Sequence, residues 1–446
     1  MTPEPPELPA SNLIPASGCA SGFPESPSES PALNHFPSAP ALASSPAPPP
    51  ILPIVLLSAA GFTVLTTEFV IVGLLPAMAR DLHVSVPQAG LLVTAFAMTV
   101  AVVGPGLTAW MMRFERKKLF LLTLLLFGLS NAVAACAPNI AVMTVARLVP
   151  ALMLPVFWSL ASETAVQITG PERAGKAISM VSFGVVAATI FGIPIGTLIA
   201  DRFGWRTAFA TLAVLSLAKL LLLFRFLPRL PGSGERIPVL KQLGILRQPR
   251  ILGHTALSVA VFAGMFTAYT YLADMLEKLA HFSGSAVGWI LMGFGGIGLI
   301  GNWTGGRLVD RSPLGATILF CLPLAAGLFL LSPSLGFVPT WTVAPLTAVL
   351  FIWGLCQSAL FTVSHTRVIK SAAGTPALAA SLNISGANLG IALGAWIGGR
   401  AIEWSGLRTV GATAAVIVLA ATAAAAWLAG AESRWGVKSA AVAPCS

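Results

Sequence analysis

Long apolar runs dominate this sequence of 446 residues. A run of about 20 apolar residues, bounded by charges or by Pro and Gly, is long enough to cross a bilayer as a helix. Twelve such spans are predicted, beginning near residues 51, 87, 118, 139, 175, 205, 250, 284, 314, 339, 376 and 407. A composition of 56% hydrophobic and 9% charged residues agrees with this interpretation. We therefore predict an all-α membrane protein with twelve transmembrane helices.

A repeat divides the chain into two related halves. Residues 177–207 recur, much altered, at residues 379–409, which is a constant offset of 202. The matches include Gly184, Gly192, Gly196, Gly204, Arg206 and Thr207, which correspond to Gly386, Gly394, Gly398, Gly406, Arg408 and Thr409. Two copies with the same direction in a membrane are related by an axis along the membrane normal. The fold expected is therefore two pseudo-symmetric six-helix bundles.

The bundles are predicted at residues 51–228 and 250–430, joined by a basic cytoplasmic linker at 229–249. Residues 1–50 are rich in Pro, Ser and Ala and lack Lys and Arg, so a disordered cytoplasmic tail is expected there. This segment lacks the features of a signal peptide, and a start codon assigned too far upstream is an alternative explanation for it. Residues 431–446 form a second predicted cytoplasmic tail.

Lys and Arg are unevenly distributed between the two sides of the predicted spans. With a cytoplasmic N-terminus, eighteen of the 26 fall on the inner side and six on the outer side. Since cytoplasmic loops are enriched in Lys and Arg, both termini are predicted to be cytoplasmic, in an inner membrane. The net charge of +10 then reflects topology and contact with anionic lipids, and not nucleic-acid binding.

The sequence carries no pattern typical of an enzyme or of a cofactor site. The five cysteines have no paired spacing, so neither a disulfide framework nor a metal site is expected. The glycines at 293–298 match a dinucleotide fingerprint formally, but they lie inside a span without a preceding strand. Because an intramembrane acidic pair, a His cluster and a nucleophile elbow are all missing from the sequence, we predict that the protein is not an enzyme.

Two opposite charges are predicted at similar depth inside the membrane. Glu68 lies about nine residues from the outer end of span 1, roughly 13 Å along the helix, and Arg147 about eight residues from the outer end of span 4. Each would cost roughly 2.5 to 3.5 kcal/mol against lipid, so both should face the protein interior. A changing distance between them would change the proton affinity of the carboxylate, so both are proton-coupling candidates. Lys219, in span 6, is expected to extend toward the cytoplasmic headgroups.

Aromatic and amide side chains in several spans are candidates for a solute cavity. Aromatic faces with a few hydrogen-bonding groups suit polar organic solutes and flat drugs alike. The candidates are Trp158, Tyr269, Tyr271, Gln357, Asn383 and Asn388, together with His365. For each, membrane-interface anchoring, ordinary packing or interhelical hydrogen bonding is the alternative explanation. Glycines every fourth residue in spans 5 and 11 allow close helix contact, which suits either halves that rock or static packing.

Five groups of residues form motifs: 66–70 with 73–76, 115–119, Phe157-Trp158-Ser159, 192–196 and Gly204-Trp205-Arg206. Together they resemble the proton-antiporter branch of the major facilitator superfamily, in particular its sugar-efflux (arabinose efflux permease) group. The resemblance implies alternating access by two six-helix bundles, with proton uptake driving solute export. It also implies that Arg147 acts in coupling and that Gly184, Gly192, Pro194 and Gly196 form the span 5 antiporter motif.

The same resemblance extends to the inner loops. The loop after span 2 resembles the superfamily's basic signature and keeps Arg113, Arg116 and Lys117, but Met112 replaces its aspartate. The second half supplies Gly306, Asp310 and Arg311, which are closer to the pattern. With Gly394 and Gly398 of span 11, these residues are the predicted conformational and gating set.

The function predicted from the sequence is proton-coupled export of a small polar solute by alternating access. A sugar or sugar-like metabolite is the first candidate for the solute, and a drug or a nucleoside is the alternative. A membrane sensor that binds without transporting is the alternative from another class. The expected partners are the solute, protons and membrane lipids, without nucleic acid and without a cofactor, and the protein is expected to act as a monomer.

Overall fold

The computed structural model describes residues 51–170, 173–230, 248–332, 343–372 and 376–434, and it is all-helical in this part. The predicted tail at 1–50, most of the predicted linker and residues 435–446 lie outside the described residues. The last helix continues to Arg434, slightly beyond the predicted end of the second bundle.

The N-terminal half contains six helical spans that begin within a few residues of the predicted positions. They are α1 (Ile51–Asp81), α2 (Val86–Met111), α3 (Arg116–Ala135), α4 (Ile140–Thr169), α5 and α6 (Trp205–Phe226). The fifth span, α5, consists of Ala174–Ala187 and Ile193–Phe203, joined by a π-helical turn at Ala188–Gly192.

The C-terminal half repeats the arrangement. Its members are α7, α8 (Gly284–Arg311), α9 (Pro313–Leu330), α10 (Val343–Ser371), α11 (Pro376–Ser405) and α12 (Val410–Arg434). The first, α7, consists of Pro249–Tyr269 and Leu272–Lys278. Within the described residues, eleven helical segments are long and apolar enough to cross a membrane, and α11, at 30 residues, is not among them. The all-α membrane fold is therefore confirmed, whereas the count of twelve transmembrane helices stays a prediction.

Local sequence explains both interrupted helices. Pro194 lacks the N–H that an α-helix needs, and the π-helical turn ends two residues before it, at Gly192. In α7 the hydroxyl of Thr270 donates to Phe266 O at 2.7 Å, and Tyr271 N donates to Ala268 O at 3.0 Å, a tight turn where α-helical bonding lapses. Each half therefore has one irregular helix.

The two halves contact each other at one end of the molecule. We call the end where α1 ends and α2 begins the outer end, in line with the charge bias, and the opposite end the inner end. There α2 approaches α7 and α11 so closely that a Cβ on Gly90 would collide with the Tyr271 hydroxyl. A Cβ on Gly288 of α8 would lie 2.8 Å from Leu198 of α5. These contacts close the outer end of the interface.

Candidate functional site

Arg147 of α4 is held against the main chain of α1. Its Nη2 donates to Glu68 O at 2.8 Å and its Nη1 donates to Thr67 O. Both Arg147 and Glu68 are buried, with 2% and 9% exposure. The structure thus brings together the two residues that sequence depth placed at one level, although the contact runs through carbonyl oxygens. Their role in proton coupling stays a prediction.

Two further helices complete this charged cluster. The Asn131 side chain of α3 donates through Nδ2 to Thr67 Oγ1 at 3.2 Å, and the Arg147 guanidinium lies over the Phe96 ring of α2 at 4.7 Å. Within the described residues, no hydrogen bond to the Glu68 carboxylate is found. The Glu68 carboxylate can therefore bind a proton without losing a hydrogen bond, whereas the Arg147 guanidinium is hydrogen-bonded to main-chain oxygens.

Lys219 does not extend toward the inner headgroups, and that expectation was wrong. Its Nζ donates to Thr63 Oγ1 at 2.5 Å, near the middle of α1, and lies 5.9 Å from the centre of the Phe62 ring. Thr63 in turn donates to Ala59 O at 3.3 Å. A hydroxyl acceptor on a neighbouring helix offers the ammonium an intramembrane partner, so the side chain stays within the bundle.

A cavity of about 460 Å³ lies between the halves. It is lined from the N-terminal half by α1 and α5 and from the C-terminal half by α7, α8 and α10. Its aromatic residues are Phe69, Phe266, Tyr269, Phe294 and Phe361, and its hydrogen-bonding residues are Ser182, Thr189, Asn302, Gln357, Ser358, Thr362, His365 and Thr366. Asp, Glu, Lys and Arg are absent from this lining as far as the described residues extend. The cavity therefore suits an uncharged solute with both apolar and polar faces.

Two of the six predicted cavity residues, Tyr269 and Gln357, line this cavity. Tyr269 stacks on Phe294 with ring centroids 5.6 Å apart, and Gln357 Oε1 accepts a hydrogen bond from Trp353 at 2.7 Å. His365, predicted beside them, also lines it.

The other four predicted residues lie outside the lining. Trp158 packs edge-to-face on Phe157 within the N-terminal half, and the Tyr271 hydroxyl donates to Ala395 O at 2.8 Å at the outer end. The Nδ2 atom of Asn383 lies 3.3 Å from Nδ1 of His365, and Asn388 Nδ2 donates to Ile384 O at 3.0 Å. Tyr271 and Asn383 thus bond to a neighbouring helix, whereas these contacts of Trp158 and Asn388 lie within their own helices.

The glycine rows of α5 and α11 lie where other helices press closest. A Cβ on Gly184 would collide with Ser58 O, one on Gly192 with Thr66 Oγ1, and one on Gly196 with Val70. On α11, a Cβ on Gly394 or Gly398 would collide with the main chain of α7. Both rows thus contact the first helix of their own half, and α1 of the first half also carries the charged cluster.

The inner-loop residues form contacts within each half. Arg116 pairs with Glu163 of α4 at 2.8 Å, and Asp310 pairs with Lys370 of α10 at 2.7 Å. Arg113 stacks on Trp110 at 4.5 Å, and Lys117 lies 5.6 Å from the Phe224 ring. Gly306 and Arg311 lie on the last turns of α8, and a Cβ on Gly306 would find only Thr362, at 4.0 Å. Their role in gating stays a prediction.

Sequence reasoning missed one connection between the halves. Arg80, at the end of α1, forms an ion pair with Glu277, near the end of α7, at 2.7 Å. The available signal was that both charges lie near the outer ends of the first helices of their halves. The helix termini meet only after the halves dock, so the pairing itself was not readable from the sequence.

Comparison with known proteins agrees with this architecture. Residues 57–375 match the family model of the Major Facilitator Superfamily. The chain is 32% identical over 355 residues to the inner membrane transport protein YdhP of Escherichia coli K12, covering 79% of this chain and 89% of that protein. It is 30% identical over 350 residues to YfhI of Bacillus subtilis, an uncharacterised MFS-type transporter, covering 77% and 85% of the two chains.

Solved structures share the fold at low sequence identity. A bacterial homologue of the human lysosomal transporter Spinster, in an inward-facing and unoccupied conformation, superposes with a TM-score of 0.68 at 16% identity, covering 85% of this chain and 96% of that one. A D-xylose–proton symporter gives a TM-score of 0.65 at 16% identity, covering 85% and 97%. The family model, the relatives and the helical architecture lead to one conclusion. The chain belongs to the Major Facilitator Superfamily, as a multi-pass membrane transporter and not an enzyme.

Proposed function

We propose that this protein exports a small uncharged polar solute in exchange for protons, with a sugar or sugar-like metabolite as the first candidate. The observation that carries the proposal is the cavity between the halves, with its aromatic faces and its neutral hydroxyl, amide and imidazole groups. Aromatic faces pack on the apolar faces of a sugar ring, and neutral polar groups bind its hydroxyls without selecting a charge.

The contacts between the halves support alternating access. At the outer end Gly90 packs on Tyr271 and Arg80 pairs with Glu277, so the cavity is closed on that side. Toward the inner end the lining includes the exposed side chains of Asn302 and His365. This arrangement fits a state in which solute enters from the inner side, and rocking of the halves would expose the cavity to the outer side.

Helix α1 supports a link between proton binding and solute movement. Leu65 and Phe69 of α1 line the cavity, whereas Thr67 and Glu68 contact Arg147 on α4. A proton on Glu68 removes a buried charge beside Arg147, which changes the balance of forces on the same helix turn that contacts the solute. Exchange of one proton for one neutral solute at about 100 mV supplies roughly 2.3 kcal/mol, enough for about a fiftyfold gradient.

The decisive experiment is a transport assay in proteoliposomes with an imposed pH gradient and a panel of labelled sugars. We expect export of at least one sugar that stops when a protonophore collapses the gradient. Export that ignores the protonophore would contradict proton coupling, and failure of every sugar in the panel would contradict the solute class.

A drug or nucleoside is the second candidate solute, and the five aromatic rings of the lining favour it. Flat heteroaromatic compounds stack on such rings with little need for hydrogen bonds. This candidate predicts that deletion of the protein raises the sensitivity of cells to such compounds, whereas the sugar candidate predicts altered accumulation of a non-metabolised sugar analogue.

A non-transporting sensor is the candidate from another class. It predicts a ligand that binds the purified protein but shows no counterflow in liposomes, whereas for a transporter the ligand shows both binding and counterflow.

We also propose that both termini are cytoplasmic, that inner-loop cations contact anionic lipids, and that the monomer is active. Reporter fusions at each terminus and transport at one protein per vesicle test these points.

A further inference from the structure

Among the described residues that line the cavity, His365 is the one that carries an imidazole. The other polar lining residues are Ser, Thr, Asn and Gln, together with the phenol of Tyr269. Histidine changes its charge between about pH 5 and 8 in water, which the other lining groups do not. Its side chain is exposed to the cavity, on the inner half of α10. The lining therefore holds one group that can carry a proton where the solute binds.

Asn383 of α11 holds one side of the imidazole ring. Its Nδ2 lies 3.3 Å from His365 Nδ1, and its Oδ1 is buried with no hydrogen-bond partner in the described part of the chain. With the amide NH2 donating to Nδ1, the neutral ring carries its hydrogen on Nε2. When the ring binds a second proton, Nδ1–H needs an acceptor, and a turn of the amide presents Oδ1 to it. Asn383 thus provides a partner for both protonation states.

Several charged groups around this end of the C-terminal half contact residues other than His365. Arg367 of α10 donates to Ser258 Oγ of α7 at 3.0 Å, and Lys370 pairs with Asp310 of α8 at 2.7 Å. On α7 and α12, Arg250 and His254 both contact Glu432, at 2.7 and 3.1 Å. No ion pair to His365 is found among the described residues, so the charge of its ring depends on the proton and on what occupies the cavity.

We propose that His365 is a second protonation site of the transporter and the residue at which proton and solute meet. His365 binds an oxygen acceptor of the solute, such as a hydroxyl or a carbonyl, through Nε2–H, while Asn383 holds Nδ1. This inference rests on the proposed function, since it assigns a residue of the same cavity to solute contact. It places proton binding in both halves, at Glu68 in the first and at His365 in the second.

The protonation of His365 can be measured without knowing the solute. Full-length protein with 15N-labelled histidine, in lipid nanodiscs, is compared by solid-state NMR with His365→Gln and with His83→Asn, which removes a histidine at the outer turn between α1 and α2. We expect the signal lost in His365→Gln to show the Nε2–H tautomer at pH 8.5 and an imidazolium at pH 5. Asn383→Leu should change the tautomer ratio and the titration midpoint. A His365 signal that stays the same across this pH range would overturn the proposal.

A transport assay then tests whether protonation of His365 is coupled to solute export. With the sugar identified in the liposome panel, His365→Gln should flatten the dependence of export on inner pH, whereas His83→Asn should retain it. A wild-type pH profile in His365→Gln would contradict the proposal while leaving proton-driven export intact. If wild-type protein moves no sugar, the proposed function fails, and the NMR titration still decides whether His365 binds a proton.

Discussion

Arg147 stabilises the middle of α1 because its guanidinium binds main-chain carbonyls, of Thr67 and Glu68, and not a side chain. Its planar fork matches two successive carbonyl oxygens, a geometry that the single ammonium of lysine does not reproduce. We expect Arg147→Lys to lower the free energy of unfolding by about 1.5 to 3 kcal/mol, the contribution of one charge-assisted hydrogen bond. Thermal unfolding in detergent measures this loss, and an unchanged transition would show that the fork is not needed.

Glu68 is buried beside this fork without a hydrogen-bonded partner of its own among the described residues. We expect Glu68→Gln to fold normally and to exchange labelled for unlabelled solute. Gradient-driven export should fall from about fiftyfold accumulation to parity, because the amide carries no exchangeable charge. Glu403→Gln, which removes an exposed carboxylate paired with Arg400 at 2.8 Å, is the matched control. Full gradient-driven export by Glu68→Gln in proteoliposomes would exclude Glu68 as the coupling group.

At the scale of the element, the close contact between α1 and α5 depends on glycines of α5, which have no side chain. A Cβ on Gly184 would meet the main chain at Ser58, which has no rotamer through which to yield. We expect Gly184→Ala to destabilise the protein by about 1 to 3 kcal/mol, the usual cost of overpacking. Gly106→Ala, on α2 with open space around its Cβ position, should leave the unfolding transition unchanged or raise it. Equal effects of the two substitutions would contradict the packing argument.

The outer ends of α1 and α7 are connected by the Arg80–Glu277 ion pair, whose arginine is 64% exposed. An exposed pair contributes only about 0.2 to 1 kcal/mol, so its loss should change the ratio of outer-closed to outer-open states by a factor of about five at most. In the single variant Glu277→Arg, the ratio of outer-closed to outer-open states should fall by at least the factor that loss of the pair produces. The double variant Arg80→Glu with Glu277→Arg should restore the wild-type ratio. Distances between spin labels at the outer ends report the ratio. If the double variant gives the same ratio as the single variant, the ion pair does not stabilise the outer-closed state.

At the scale of the whole molecule, export requires the outer contact between the halves to open in each cycle. A Cβ on Gly399 of α11 would lie 3.5 Å from the Pro87 Cβ of α2, within the range that a disulfide requires. We expect Pro87→Cys with Gly399→Cys to form a disulfide under oxidation and to stop export, and a reducing agent to restore it. The single variants, treated in the same way, are the controls. Continued export by the oxidised double variant would contradict alternating access through this end.

Much of the fold was predictable because hydrocarbon imposes one simple rule on the sequence. A backbone crossing lipid must satisfy its own hydrogen bonds, so long apolar runs become helices, and their bounds agree with the predicted starts. Depth along a helix follows from a count of residues, so the similar depth of Glu68 and Arg147 was predictable from position alone, whereas their contact was not. Lys219 was predicted wrongly because the count gives depth but not direction, and its partner Thr63 lies on another helix.

The sequence by itself determined the membrane-spanning helices, the two related halves and the residues with polar chemistry inside the spans, because each of these follows from composition or periodicity along the chain. The tertiary structure alone decided which polar residues share a cavity. Tyr269 and Gln357 line it and Tyr271 does not, although only Thr270 separates the two tyrosines. The outer ion pair and the collisions at the glycine rows are likewise properties of docked helices. Rotation about a helix axis and docking between halves depend on packing with distant segments, which no local pattern contains.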